Sequence, residues 1–105
     1  MSVIMTLVLQ GDPAAAERYA AENPEAMSGV RDHAVEHGLI AHRFYGSEGQ
    51  LMVVDEWPDA ESFLSFFGHV EAEVAAMMEA AGVSGEPQPV FWRKLDTHDD
   101  YGWGA

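Results

Sequence analysis

Val3 to Leu9 is apolar at nearly every position, the pattern of a strand covered on both faces. Gly11-Asp12-Pro13 then closes the strand and opens a helix. Asp12 offers a carboxylate to the free amides, and Pro13 takes the first helical position, where its missing N–H costs nothing. An Ala-rich stretch runs to Glu22, and Asn23-Pro24-Glu25 repeats the cap-plus-proline pattern, which predicts a kink or restart. Met27, Val30 and Ala34 continue at helical spacing to a stop at Gly38.

Leu39 to Tyr45 and Leu51 to Trp57 read as the second and third strands, with Gly46 to Gln50 as their hairpin loop. Pro58-Asp59 starts a long helix, with Asp59 as cap. Its stripe is Phe63, Phe66, Phe67, Val70, Val74, Met77, Met78 and Ala81, and Gly82 ends it. An extended linker, Gly85 to Pro89, leads to a fourth strand from Val90 to Leu95. The order β-α-β-β-α-β is the split βαβ arrangement: an α+β, ferredoxin-like fold, a four-stranded antiparallel sheet with two helices on one face. One domain is expected over residues 1–95, followed by a polar tail over 96–105.

The strands carry large apolar residues on both faces, among them Ile4, Val8, Phe44, Val54, Phe91 and Leu95. Two helices cover only one face. The other predicts a homodimer that stacks two sheets.

Composition narrows the partners. With 18 acidic and 5 basic residues the 105-residue chain has a net charge of −13, which argues against nucleic acid and anionic membranes. No apolar run is long enough to span a bilayer, and the start does not read as a secretion signal. Cysteine is absent, which removes disulfides and thiolate chemistry and fits a cytoplasmic protein. No phosphate loop, nucleophile elbow or Ser-His-Asp set occurs, so no cofactor is expected.

The topology, the doubly apolar strands and the segment Leu51-Met52-Val53-Val54-Asp55-Glu56-Trp57-Pro58-Asp59-Ala60-Glu61-Ser62-Phe63 resemble the dimeric α+β barrel proteins, and within them the antibiotic-biosynthesis-monooxygenase-like group. The resemblance implies a dimeric barrel with a pocket between the sheet and the helices of each subunit. Among such proteins it implies cofactor-free oxygenases of aromatic substrates and haem-degrading enzymes. The haem-degrading branch would need an Asn on the first strand, a Trp ending the third and a His on the second helix. Trp57 matches, the first strand has no Asn, and the His position falls near Ala76 rather than His69, so haem is not expected.

The candidate residues follow. Trp57 and Asp55 share a strand face with Leu51 and Val53, and would line the pocket if that face meets the helices. His42 and Phe44 share one face of the second strand, with Ala41, Arg43 and Tyr45 on the other. A neutral imidazole there is a base suited to an acidic phenol. His69, at the edge of the helical stripe, is a second candidate base, and a converging His42 and His69 would be informative. The catalytic candidates are thus His42, His69 and Asp55; the substrate-binding candidates are Trp57, Phe63, Phe67 and Arg43, the last as a carboxylate or phenolate anchor. Each has a plainer reading as a packed or paired residue.

His33 and His37, four apart on one helix, have the spacing of a metal pair but no matched third ligand in the sequence, so no metal is expected. The expected function is a small cofactor-independent monooxygenase acting on an aromatic or polyketide-like molecule. The alternatives are a non-catalytic ligand-binding or structural dimer, and an isomerase or lyase on a small cyclic acid. A closed core with Trp57 packed against Phe63 and Phe67 would sink the enzyme reading; an open cavity of roughly a few hundred Å³ with converging His or Asp groups would support it.

Overall fold

The computed structural model describes residues 1–103. The chain runs β1 (Val3–Gln10), α1 (Pro13–Glu22), α2 (Pro24–Glu36), β2 (Ala41–Ser47), β3 (Gln50–Trp57), α3 (Ala60–Ala80) and β4 (Val90–Trp92). The strands form one antiparallel sheet in the order β2-β3-β1-β4. This is the expected ferredoxin-like topology.

The helix starts are made as the sequence dictates. The Asp12 carboxylate accepts the Ala14 N–H at 3.0 Å, and the Asp59 carboxylate accepts the Ser62 N–H and hydroxyl, both at 2.8 Å. Asn23 behaves differently. Its side-chain amide donates back to the Tyr19 carbonyl at 2.9 Å, so it closes α1 rather than capping α2. Gly38 sits at φ +104, and a Cβ there would lie 3.2 Å from the Pro58 ring, so the α2–β2 turn suits glycine on two counts.

Strand boundaries depart from expectation at three places. β2 begins at Ala41, and pairing of Ser47 with Gln50 narrows the hairpin to a two-residue turn. β4 ends at Trp92, because Ile4↔Trp92 is its last pair with β1 and only Val3 remains in β1 beyond it. Leu95 is therefore outside the sheet and exposed.

Alternation divides the sheet cleanly. Met5, Leu7 and Leu9 of β1 and Leu51, Val53, Asp55 and Trp57 of β3 face the helices and are buried. The main core joins Met5, Leu7, Val53 and Trp57 to Phe63, Phe66 and Val70 of α3 and Ala34 of α2. The opposite face carries Ile4, Val8, Tyr45, Val90 and Trp92, all exposed in the single chain, with Val8 and Trp92 each 54% accessible. The tail turns back from β4, at one edge, towards β2, at the other: Trp103 lies 6.0 Å from the Arg43 guanidinium, and Lys94 pairs with Asp100 at 2.5 Å.

Candidate functional site

Register places a histidine directly beside a buried acid. His42 and Asp55 are cross-strand partners on the helix-facing side of β2 and β3. His42 Nδ1 lies 2.6 Å from Asp55 Oδ1, and Trp57 Nε1 donates to Asp55 Oδ2 at 3.1 Å. Asp55 is only 5% exposed. A carboxylate so placed holds an imidazole as the Nδ1–H tautomer and leaves Nε2 as the nitrogen available to a substrate. Phe44 meets the His42 ring edge-on at 5.1 Å and restricts its swing.

The dyad stands at the wall of a cavity of about 100 Å³ between sheet and helices. Phe44, Val53, Phe63, Phe67, Met27 and Val74 supply much of its apolar lining. Arg31, Tyr19 and Glu73 also border it, the Arg31 guanidinium being turned to the Asp32 carboxylate at 3.1 Å. A larger groove of about 560 Å³ runs between α1 and β2 and shares Met27, Phe44 and Met77 with the cavity. Gly46 lets the two elements approach: a Cβ there would stand 2.9 Å from Pro13.

The candidate residues separate on this geometry. His42 and Asp55 converge, and Phe63 and Phe67 line the cavity, their rings stacked at 5.5 Å. Trp57 faces the helices but is 0% exposed and lies behind the cavity wall, packed on Phe63 at 5.7 Å and Phe66 at 5.4 Å. Its one polar link to the site is the hydrogen bond to Asp55. Arg43 stands on the far face of β2, paired in register with Val54, and its guanidinium donates to the Tyr45 hydroxyl at 3.2 Å. Strand alternation makes this unavoidable once His42 faces inward, and the basic residue of the cavity is Arg31 instead. His69 does not converge on His42; its ring neighbours are His37 at 5.3 Å and His33 at 6.0 Å.

Arg31, Tyr19 and Phe44 were not anticipated as lining residues. Phe44 was legible as the face-mate of His42, whereas Arg31 and Tyr19 reach the cavity only through the packing of α1 and α2.

No family model matches the sequence, and no curated protein matches it. Solved structures do. The chain is similar to SnoaB, a cofactor-independent oxygenase from Streptomyces nogalater, with a TM-score of 0.62 at 11% identity over 94% of this chain and 98% of that one. An antibiotic biosynthesis monooxygenase aligns with a TM-score of 0.62 at 14% identity, over 90% of this chain and 99% of the other. A dimeric ferredoxin-like protein from an uncultured marine organism aligns with a TM-score of 0.64 at 11% identity, over 95% and 93%. The class is thereby defined at the level of fold: the chain has the ferredoxin-like α+β architecture of the antibiotic-biosynthesis-monooxygenase-like proteins, as the strand-and-helix segment around Trp57 implied. At these identities the likeness is one of fold.

Proposed function

We propose that the protein is a homodimeric, cofactor-independent oxygenase of a hydroxylated aromatic molecule, working in the cytoplasm with His42 as its base. The observation that carries this reading is the Trp57–Asp55–His42 relay ending at the cavity wall. His42 Nε2 takes a proton from a phenol-activated carbon, and Asp55 stabilises the imidazolium that forms. The electron-rich carbanion then reacts with oxygen. In the balanced form a ring methylene becomes a carbonyl: one oxygen atom enters the product, and the other leaves as water with the two methylene hydrogens. The substrate supplies every electron. The cavity alone is smaller than a fused-ring molecule needs, so the substrate also occupies the groove beyond Phe44.

The homodimer is supported by the uncovered sheet face. Ile4, Val8, Val90 and Trp92 form an apolar surface opposite the helices, and a second copy stacked on it removes that surface from water.

The closed packing of Trp57 on Phe63 and Phe66 favours a second reading, a dimer that binds a small apolar molecule without chemistry. Oxygen uptake with a panel of hydroxylated aromatics separates the two. Uptake by the wild type that falls at least tenfold in His42→Ala supports the enzyme. Binding with no uptake from any quinol-like compound supports the second reading and overturns the first.

A further inference from the structure

The helices leave β2 uncovered. Every residue from Ala41 to Ser47 is exposed, including His42, Phe44 and Gly46, which stand on the helix-facing side opposite Asp55, Val53 and Leu51. At Gly46 the start of α1 comes close, since a Cβ there would lie 2.9 Å from Pro13. Two residues back on the same face, at Phe44, nothing closes over the strand, and this large apolar side chain is 36% accessible. The groove of about 560 Å³ opens here, with Ala16 and Ala20 of α1 in its wall and Glu17 the one charged residue lining it. Phe44 also lines the cavity of about 100 Å³ that holds His42 and Asp55 in its wall. Only Met27 and Met77 share this double position with it.

We propose that Phe44 is a size-selecting gate: its ring divides the cavity beside His42 from the groove along α1, and when it turns aside the two become one site for a fused-ring phenol. The hydroxylated ring then lies beside His42 and the remaining rings lie against Ala16 and Ala20. The proposal rests on the reading of the cavity as a ligand site and goes beyond it by assigning the residue that sets ligand size.

Three features support it. The first is freedom to move. The Phe44 ring has its edge-on contact with His42 at 5.1 Å and is otherwise partly open to water, so another staggered rotamer is within reach. The two residues that share the divide are methionines, whose unbranched side chains adapt to a new neighbour. The second is that opening does not release the base. His42 is held by Asp55 at 2.6 Å, a bond to which Phe44 contributes nothing. The third is the character of the groove. The methyl side chains of Ala16 and Ala20 leave room beside the helix, and a planar ring laid there removes both them and Phe44 from water.

The test measures binding without reaction. Under nitrogen, the full chain is titrated with 4-ethylphenol, a one-ring probe, by NMR chemical shifts, and with 1-hydroxypyrene, a fused-ring probe, by fluorescence. Phe44→Ala removes the divide for the large probe and a wall for the small one, so the ratio of their affinities should move towards 1-hydroxypyrene by at least about tenfold. Phe44→Trp, a bulkier divide, should move it the other way. Ala20→Trp fills the groove and touches only that compartment, so it should weaken 1-hydroxypyrene by at least about tenfold and leave 4-ethylphenol within about twofold. Circular dichroism confirms folding, and Phe44 and Ala20 both lie outside the buried core. Phe44 variants that change both affinities by the same factor, 1-hydroxypyrene binding unaffected by Ala20→Trp, or a wild type that binds neither probe would each overturn the gate. Size selection in a protein that takes up no oxygen upholds the gate while overturning the oxygenase, and oxygen uptake without size selection overturns the gate alone.

Discussion

His42 Nδ1 and Asp55 Oδ1 stand 2.6 Å apart across the β2–β3 ladder, and the other oxygen of the same carboxylate receives the Trp57 indole N–H. Asp55 thus has both oxygens engaged, which reconciles its burial with its polarity. In the proposed reaction this arrangement positions the base, with a core tryptophan fixing the carboxylate that fixes the histidine.

The first prediction concerns the tautomer. Nitrogen-15 NMR of the wild type should show His42 protonated at Nδ1 and bare at Nε2 when neutral. Asp55→Asn removes the charged acceptor and should shift the population towards the Nε2–H form. An unchanged tautomer in the variant would remove Asp55 from its positioning role.

Trp57 should matter more to stability than its distance from the cavity suggests. Trp57→Phe keeps most ring contacts but leaves Asp55 Oδ2 unpaired, at a cost of about 1–3 kcal/mol. Phe63→Ala, which deletes a ring shared by core and cavity, should cost about 3–5 kcal/mol. Urea titration of each variant measures both.

The uncovered sheet face gives a third test. Wild-type protein should sediment at twice the chain mass at micromolar concentration. Val8→Glu, in the second half of β1 on that face, should raise the dimer dissociation constant at least about a hundredfold, or roughly 3 kcal/mol. A wild type that sediments as a single chain would refute the stacked-sheet dimer.

The acid limb of stability should report the α3 cap. The Ser62 backbone N–H, followed by the Ser62 hydroxyl, holds the Asp59 carboxyl below the ordinary aspartate range. A lowered folded value means the contribution is present above the unfolded value and is lost as pH falls through the folded one, below about pH 4. Asp59→Asn, a neutral cap, should flatten that part of the pH profile with little change near neutrality. Asp59→Ala should lower the melting temperature at neutral pH as well. Thermal melts at a series of pH values check both.

Much of the fold was legible because it is written in local chemistry. Asp12-Pro13, Asp59 and Gly38 mark helix boundaries through hydrogen bonds and backbone angles that need no distant partner. The α3 stripe is buried at Phe63, Phe66, Val70 and Met77, as its spacing required. The end of β4 was not legible, since a strand stops where its partner does, and β1 begins only at Val3.

The site divides along the same line. Alternation alone put His42 on one face of its strand and Asp55 with Trp57 on one face of theirs, and it put Arg43 opposite His42. Only the hairpin register could bring His42 to Asp55: a slip of one residue would have opposed Asp55 to Ala41 or Arg43 instead. The i, i+4 pair His33–His37 was visible as spacing, but His69 joins it only because α2 packs on α3. The sequence by itself determined the elements, their faces and an apolar sheet surface that two helices cannot cover, because these follow from periodicity along the chain. Tertiary structure alone decided which side chains meet, because contact depends on register and helix packing, which bring together residues far apart in sequence.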